Sequence, residues 1–306
     1  MASPAASEVY VIDATDRSRA VEALWHEIDL PPLDGKAVSV KANFNSDDPF
    51  PATTHPDMLA AIFHRIRDAG ARSIVLGERS GMGETGLVLR NRGATDIATR
   101  AGAEVAVLDS LPPEGWEAVP PDGLHWERGF LVARLFSEAD AVIHTCCLKT
   151  HRFGGSISLS LKNTVGAVAA QDPRDGYNYM AELHSSPHQQ RMIAEINRFV
   201  PCDLAVMDAT EGFSTGGPEQ GNHIAPNAIL ASTDRVALDV AGIALLRRYG
   251  STPEVMQGRI FEMDTIERAV ELGIGVKSGE DLRLVALDSE SKEIVVDMRR
   301  ILDESA

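Results

Sequence analysis

Short apolar runs rich in Val and Ile alternate with longer segments of helical period along almost the whole chain. This alternation constrains the fold most, because such a run buries both its faces only when helices cover them. That is how βα units are laid on a largely parallel sheet. The pattern predicts strands over 8–13, 37–41, 73–77, 104–109, 139–145, 204–208, 228–231 and 282–287. Helices are predicted over 17–28, 56–69, 95–101, 189–199, 235–249 and 266–272, with Gly70 and Gly250 placed where a left-handed stop is cheapest. The expected fold is a three-layer α/β architecture: a largely parallel sheet with helices on both faces and a ligand crevice at the strand carboxyl ends. By the same pattern the chain divides into an N-terminal strand–helix extension of the sheet (1–35), a core domain (36–249) and a C-terminal packed subdomain (250–306).

Charge narrows the partners. With 29 Lys and Arg against 45 Asp and Glu, the net charge of −16 repels nucleic acid and an anionic membrane surface. No stretch is apolar enough to span a bilayer, and the opening Met1–Asp13 lacks a basic segment followed by an apolar one, so a cytoplasmic protein is expected. Cys146, Cys147 and Cys202 match no disulfide, zinc or ferredoxin spacing, and read as small buried hydrophobes.

The residues just past the carboxyl end of each strand decide the candidate site. Lys41-Ala-Asn43 closes one strand, and Glu78-Arg-Ser80-Gly81-Met-Gly83-Glu-Thr85 comes after another. Leu148-Lys149-Thr150-His151 comes after a third, and Lys162-Asn163 lies among small and apolar residues a little further on. Lysine is seldom buried unless it is paired or working, so Lys41, Lys149 and Lys162 predict a local cationic pocket, against the alternative that each pairs with a carboxylate or reaches solvent. The Ser80–Gly81 turn offers backbone N–H groups to an anion, with a plain glycine turn as the alternative. His184 and His188 stand i, i+4, but Pro187 disfavours helix between them, which puts His184 in a loop and His188 at the start of the next helix. The long polar segment 171–187 reads as a functional or mobile loop, and 111–126 as an excursion from the sheet. Asp234 reads as a helix cap, and Asp239 as a carboxylate that faces solvent or pairs with a cation.

Read together, Lys41-x-Asn43, Gly77-Glu-x-Ser80-Gly81, Lys149-Thr150-His151, Ser158-Leu-Ser-Leu-Lys162-Asn163-x-x-Gly166, Asp208-Ala, Gly216-Gly217-Pro218 and Thr233-Asp234-x-Val-Ala-Leu-Asp239 resemble the family called domain of unknown function 362, over about residues 36–246. The resemblance implies the α/β fold and leaves the activity open. Many relatives are labelled iron–sulfur proteins, and some have export signals. This chain departs on both counts, so a ferredoxin-type cluster is not expected. In architecture it is also similar to the lactate racemase superfamily, whose sites join lysines and histidines around an anionic substrate.

The leading expectation is an enzyme acting on a small carboxylate or phosphate by general acid/base chemistry, such as a racemase, lyase or isomerase. Lys149, His151 and Lys162 are its catalytic candidates, and Lys41, Asn43, Ser80, Gly81 and Asn163 its anion-binding ones. A desolvated lysine there could instead act as a nucleophile. One alternative is a metal-dependent enzyme that draws His151, His184, His188 and Asp208 from separate loops to a divalent ion. Another is a non-enzymatic cofactor or electron-transfer protein, with acidic charge for docking a basic partner. Composition does not decide the oligomeric state.

Overall fold

The computed structural model describes residues 6–153 and 156–305. The strands are β1 (Ser7–Asp13), β2 (Ala37–Lys41), β3 (Ser73–Glu78), β4 (Glu104–Val107), β5 (Trp116–Val119), β6 (Phe130–Ala133), β7 (Ala141–Lys149), β8 (Leu204–Thr215), β9 (Asn222–Ile224), β10 (Ala228–Ser232) and β11 (Leu282–Ala286). Nine of them form one sheet in the order β11, β1, β10, β8, β7, β2, β3, β4, with β9 paired to β8. The run from β8 to β4 is parallel throughout, as is the β1–β11 pair, while β10 lies antiparallel to both its neighbours. Strands β5 and β6 form a separate hairpin, in keeping with the excursion expected from 111–126.

Helices cover both faces, as the unbroken apolar strands require. On one side α1 (Arg17–Glu27), α2 (Pro56–Asp68), α3 (Thr85–Asn91) and α4 (Ala94–Arg100) pack on Val38, Val40, Ile74, Leu76 and Ile143. On the other lie α5 (Arg134–Ser137), α6 (Ser160–Asn163), α7 (Tyr179–Ser185), α8 (Gln189–Ile196), α9 (Arg235–Tyr249), α10 (Pro253–Met256), α11 (Asp264–Glu271) and α12 (Ser291–Glu304). Strand period assigns the sides: Ile229 and Ala231 of β10 face the first layer, and Ala228 and Leu230 the second. Helix α9 is buried almost all round and starts on Asp234, whose carboxylate accepts from the Val236 and Ala237 amides as predicted. Gly70 and Gly250 both have positive φ, in keeping with their expected stop role. No helix among the described residues is long and apolar enough to cross a membrane.

Several boundaries differ from expectation. Strand β7 continues beyond Thr145 to Lys149, and β8 beyond Asp208 to Thr215, because the two stay paired past a register shift: Cys147 faces Asp208 but Leu148 faces Gly212. Strand β4 stops at Val107, where the chain turns into a 3-10 helix at Leu108–Ser110. His184 is not in a loop. It lies in the last turn of the short helix α7, and Pro187 acts further on, so Ser186 caps α7 with extended backbone while His188 opens α8. Helix α12 had no predicted counterpart, although Ile294, Met298, Ile301 and Leu302 stand at helical spacing and pack on the second layer.

Candidate active site

A cavity of about 480 Å³ opens at the carboxyl ends of β2, β3 and β7, where an open parallel sheet leaves its crevice. Lys41 ends β2 and Glu78 ends β3. Arg79 comes directly after β3, His151 lies just past β7, Lys162 comes from α6, and His184 reaches in from α7. Asp239 of α9 holds α6 in place: its two carboxylate oxygens accept from the Ser160 and Leu161 amides at 2.7 and 3.0 Å. Contrary to both expectations for it, this carboxylate neither faces solvent nor pairs with a cation. Burial raises its pKa to about 7, against the pull of those two amides.

The three lysines have three different environments. Lys41 is buried and paired: its ammonium donates to Glu78 Oε2 at 2.8 Å and to the Ala42 carbonyl at 2.6 Å. Burial pushes this pair toward neutrality, raising Glu78 to about 7 and lowering Lys41. Lys149 is fully buried behind the cavity wall. It donates to Asn43 Oδ1 at 2.6 Å and to the Ala52 carbonyl, so it anchors the loop after β2 rather than lining the cavity. Lys162 lines the cavity, and its ammonium makes no hydrogen bond or ion pair with any described residue. Burial, then the charges of Lys149 and Arg79, lower it to about 8, with no acid opposing them.

Arg79 adds a cation that the motif reading passed over. Its guanidinium donates to the Val168, Val165 and Ser80 carbonyls and touches the Met180 sulfur, so only neutral atoms bond it, although Asp109 and Glu78 act on it through space. The Ser80 amide donates to Thr85 Oγ1, the Gly81 and Met82 amides donate to Asn45, and Glu84 caps α3, so these donors are engaged internally. Ser80 and Gly81 line the cavity as wall. Asn163 is likewise structural, donating to the Lys41 and Thr145 carbonyls, while Asn43 is held by Lys149.

His151 is buried, and its Nδ1 lies 3.1 Å from the Phe153 carbonyl. A carbonyl only accepts, so Nδ1 carries the proton and Nε2 the lone pair. Burial first, then the Lys162 charge, lower its pKa to about 2, so the imidazole is neutral. The four residues weighed as metal ligands do not meet. His151 and His184 line the cavity, but Asp208 is bound to Arg17 at 2.7 Å and to Thr210, and the His188 ring packs tilted against His125. Among the described residues no group of three or more His, Cys, Asp or Glu is arranged to hold a metal ion.

Two site features escaped the sequence reading. Glu78, in the cavity wall, keeps Oε1 buried with no hydrogen-bond partner among the described residues. Gly166 is set by close approach: a Cβ there would lie 2.8 Å from Lys41 Cε, 2.9 Å from its Nζ and 3.3 Å from the Arg79 carbonyl oxygen. The only signal for either was charge or glycine directly after an apolar strand or helix turn.

Fold and cavity together define an α/β protein with a cationic crevice at the ends of its parallel strands. Over residues 38–244 the sequence matches the family model described as Domain of unknown function (DUF362), and the chain belongs to that family. Among solved structures it is similar to the lactate racemase apoprotein from Thermoanaerobacterium thermosaccharolyticum. Identity is 15%, the match covers 76% of this chain and 57% of that one, and the TM-score is 0.47. The chain therefore spans little more than half the length of that protein. No curated protein matches it in sequence.

Proposed function

We propose that this protein is an enzyme that binds a small carboxylate or phosphate in the β2–β3–β7 cavity and moves a proton on it. The observation that supports this most is Lys162, whose ammonium faces the cavity with no hydrogen-bond or ion-pair partner among the described residues. Lys149 and Arg79 stand nearby with only neutral atoms bonded to them, while Lys41 is already matched by Glu78. A buried charge is tolerated when something compensates it, and a bound anion would do so here.

The same anion would set the base. Before an anion binds, the imidazole of His151 is held neutral but weakly basic, partly by Lys162. Neutralising Lys162 removes that contribution and raises the pKa of His151 toward the range useful for proton abstraction. His151 Nε2 would then take a proton from the carbon beside the carboxylate, and the cationic wall would stabilise the negative charge that develops. The gathered residues favour this reading over a metal centre, whose ligand candidates are dispersed.

The test has two stages. A panel of small carboxylates and phosphate esters is screened by thermal shift against wild type and Lys162→Met, and compounds that stabilise only wild type are kept. Each is then incubated with protein in D2O and followed by NMR. Loss of a carbon-bound proton signal with wild type, but not with His151→Gln that still binds, is the expected result. Binding without exchange for every such compound would refute proton transfer.

A further inference from the structure

Lys162 is one of six lysines in the chain. Lys36, Lys277 and Lys292 are exposed, Lys41 and Lys149 are buried and hydrogen-bonded, and the Lys162 ammonium faces the cavity without a partner among the described residues. An anion clamp needs only charge, and Arg79 supplies that in the same wall. An amine that is partly buried beside the cations Lys149 and Arg79, and unbonded among the described residues, has a further capacity, because its lone pair is available near neutral pH. Its pKa of about 8 agrees with this environment. A neutral imidazole with a free Nε2 and a buried carboxyl with an unpartnered Oε1 line the same cavity, and these are the groups that carry protons during addition to a carbonyl.

We infer that Lys162 is a nucleophile that forms an imine with a carbonyl-bearing anion, such as a 2-oxo acid or an aldehyde acid. This deepens the anion-binding reading and rests on it. The Lys162 nitrogen lone pair attacks the carbonyl carbon. The C=O π pair moves to oxygen, which takes a proton, and the ammonium formed on nitrogen gives one up, leaving a neutral carbinolamine. Protonation of its hydroxyl expels water and leaves an iminium joining Nζ to the substrate carbon. The sum is one amine, one carbonyl and one proton giving one iminium and one water, with no oxidant or reductant. The iminium then withdraws electrons from the neighbouring carbon, where His151 would act. The carboxylate is left to Arg79 and the field of Lys149, neither of which the imine consumes.

The test uses pyruvate and glyoxylate as probes, with sodium borohydride to reduce any imine to a stable amine, and intact-mass and peptide analysis as readout. Wild type should gain one adduct, placed on Lys162 roughly tenfold or more above the exposed lysines, since a lowered pKa frees far more amine at neutral pH. Inorganic phosphate should reduce the labelling. Lys162→Arg and Lys162→Met, both checked for unchanged circular dichroism, should lose it. Labelling of Lys162 no greater than that of Lys36, Lys277 and Lys292 overturns the imine, as does equal labelling in Lys162→Arg. Calorimetric titration with phosphate separates the two ideas. Phosphate binding without trapping defeats the imine alone, whereas absence of both defeats the anion site beneath it.

Discussion

Replacing Lys162 by methionine should make the protein more stable and unable to bind its ligand. The side chain keeps most of its length and apolar contacts, and loses a charge that nothing in the described structure compensates. The pKa falls from the usual 10.5 to about 8. A folded-state pKa lowered in a base means that its protonated form is disfavoured by folding. The penalty is full below about pH 8, fades as pH rises from there, and is gone above the unfolded value. At roughly 1.4 kcal/mol per pH unit the shift corresponds to about 3 kcal/mol, an upper value because Lys162 is only partly buried. A gain of about 1–3 kcal/mol at pH 7 is expected, or a few degrees in melting temperature for a chain of this size. Denaturant unfolding at pH 7 and pH 10 is the assay, and the advantage of Lys162→Met should shrink at the higher pH. A variant less stable than wild type at pH 7, or an advantage that grows with pH, would refute the reasoning that this charge is uncompensated.

Three more outcomes rest on the same geometry. Asp239→Ala leaves the Ser160 and Leu161 amides without acceptors and should cost about 1–3 kcal/mol in urea unfolding. It should also weaken ligand binding, since α6 carries Lys162. Gly166→Ala drives a methyl against Lys41 Cε and Nζ and the Arg79 carbonyl, so it should destabilise by about 1–3 kcal/mol in the same assay. In the double variant with Lys41→Ala the effect should be smaller than the sum of the two, because both clashing side-chain atoms, Cε and Nζ, are gone. In the free protein, NMR of the imidazole nitrogens should show His151 as the Nδ1–H tautomer with no titration between pH 5 and pH 8, because burial and Lys162 hold its pKa at about 2. An imidazolium signal at pH 6 would contradict that assignment.

The layered α/β fold was legible because its signal is local. Apolar runs such as those in β2 and β7 are buried on both faces, so each announces a covered strand without knowledge of its neighbours. The long ends of β7 and β8 were not legible, since they depend on pairing across a register shift. The site was readable in part. Lysines 41, 149 and 162 were visible as unusual cations among apolar residues, but which one is free depends on distant partners: Glu78 for Lys41, and Asn43 with Ala52 for Lys149. The glycine-rich turn looked suited to an anion, yet Asn45 and Thr85 take up its donors. His188 entered the metal hypothesis through its i, i+4 spacing from His184 and Asp208 through its place at a strand end, and long-range contacts with His125 and Arg17 place them elsewhere.

The central claim, that the unpartnered ammonium of Lys162 marks an anion site, can be tested without knowing the substrate. Crystals soaked in bromide at pH 7 locate anions through the anomalous signal of the halide. A bromide peak is expected in the β2–β3–β7 cavity within hydrogen-bonding distance of Lys162 Nζ, absent in Lys162→Met. Bromide confined to surface arginines, with none in the wild-type cavity, would contradict it.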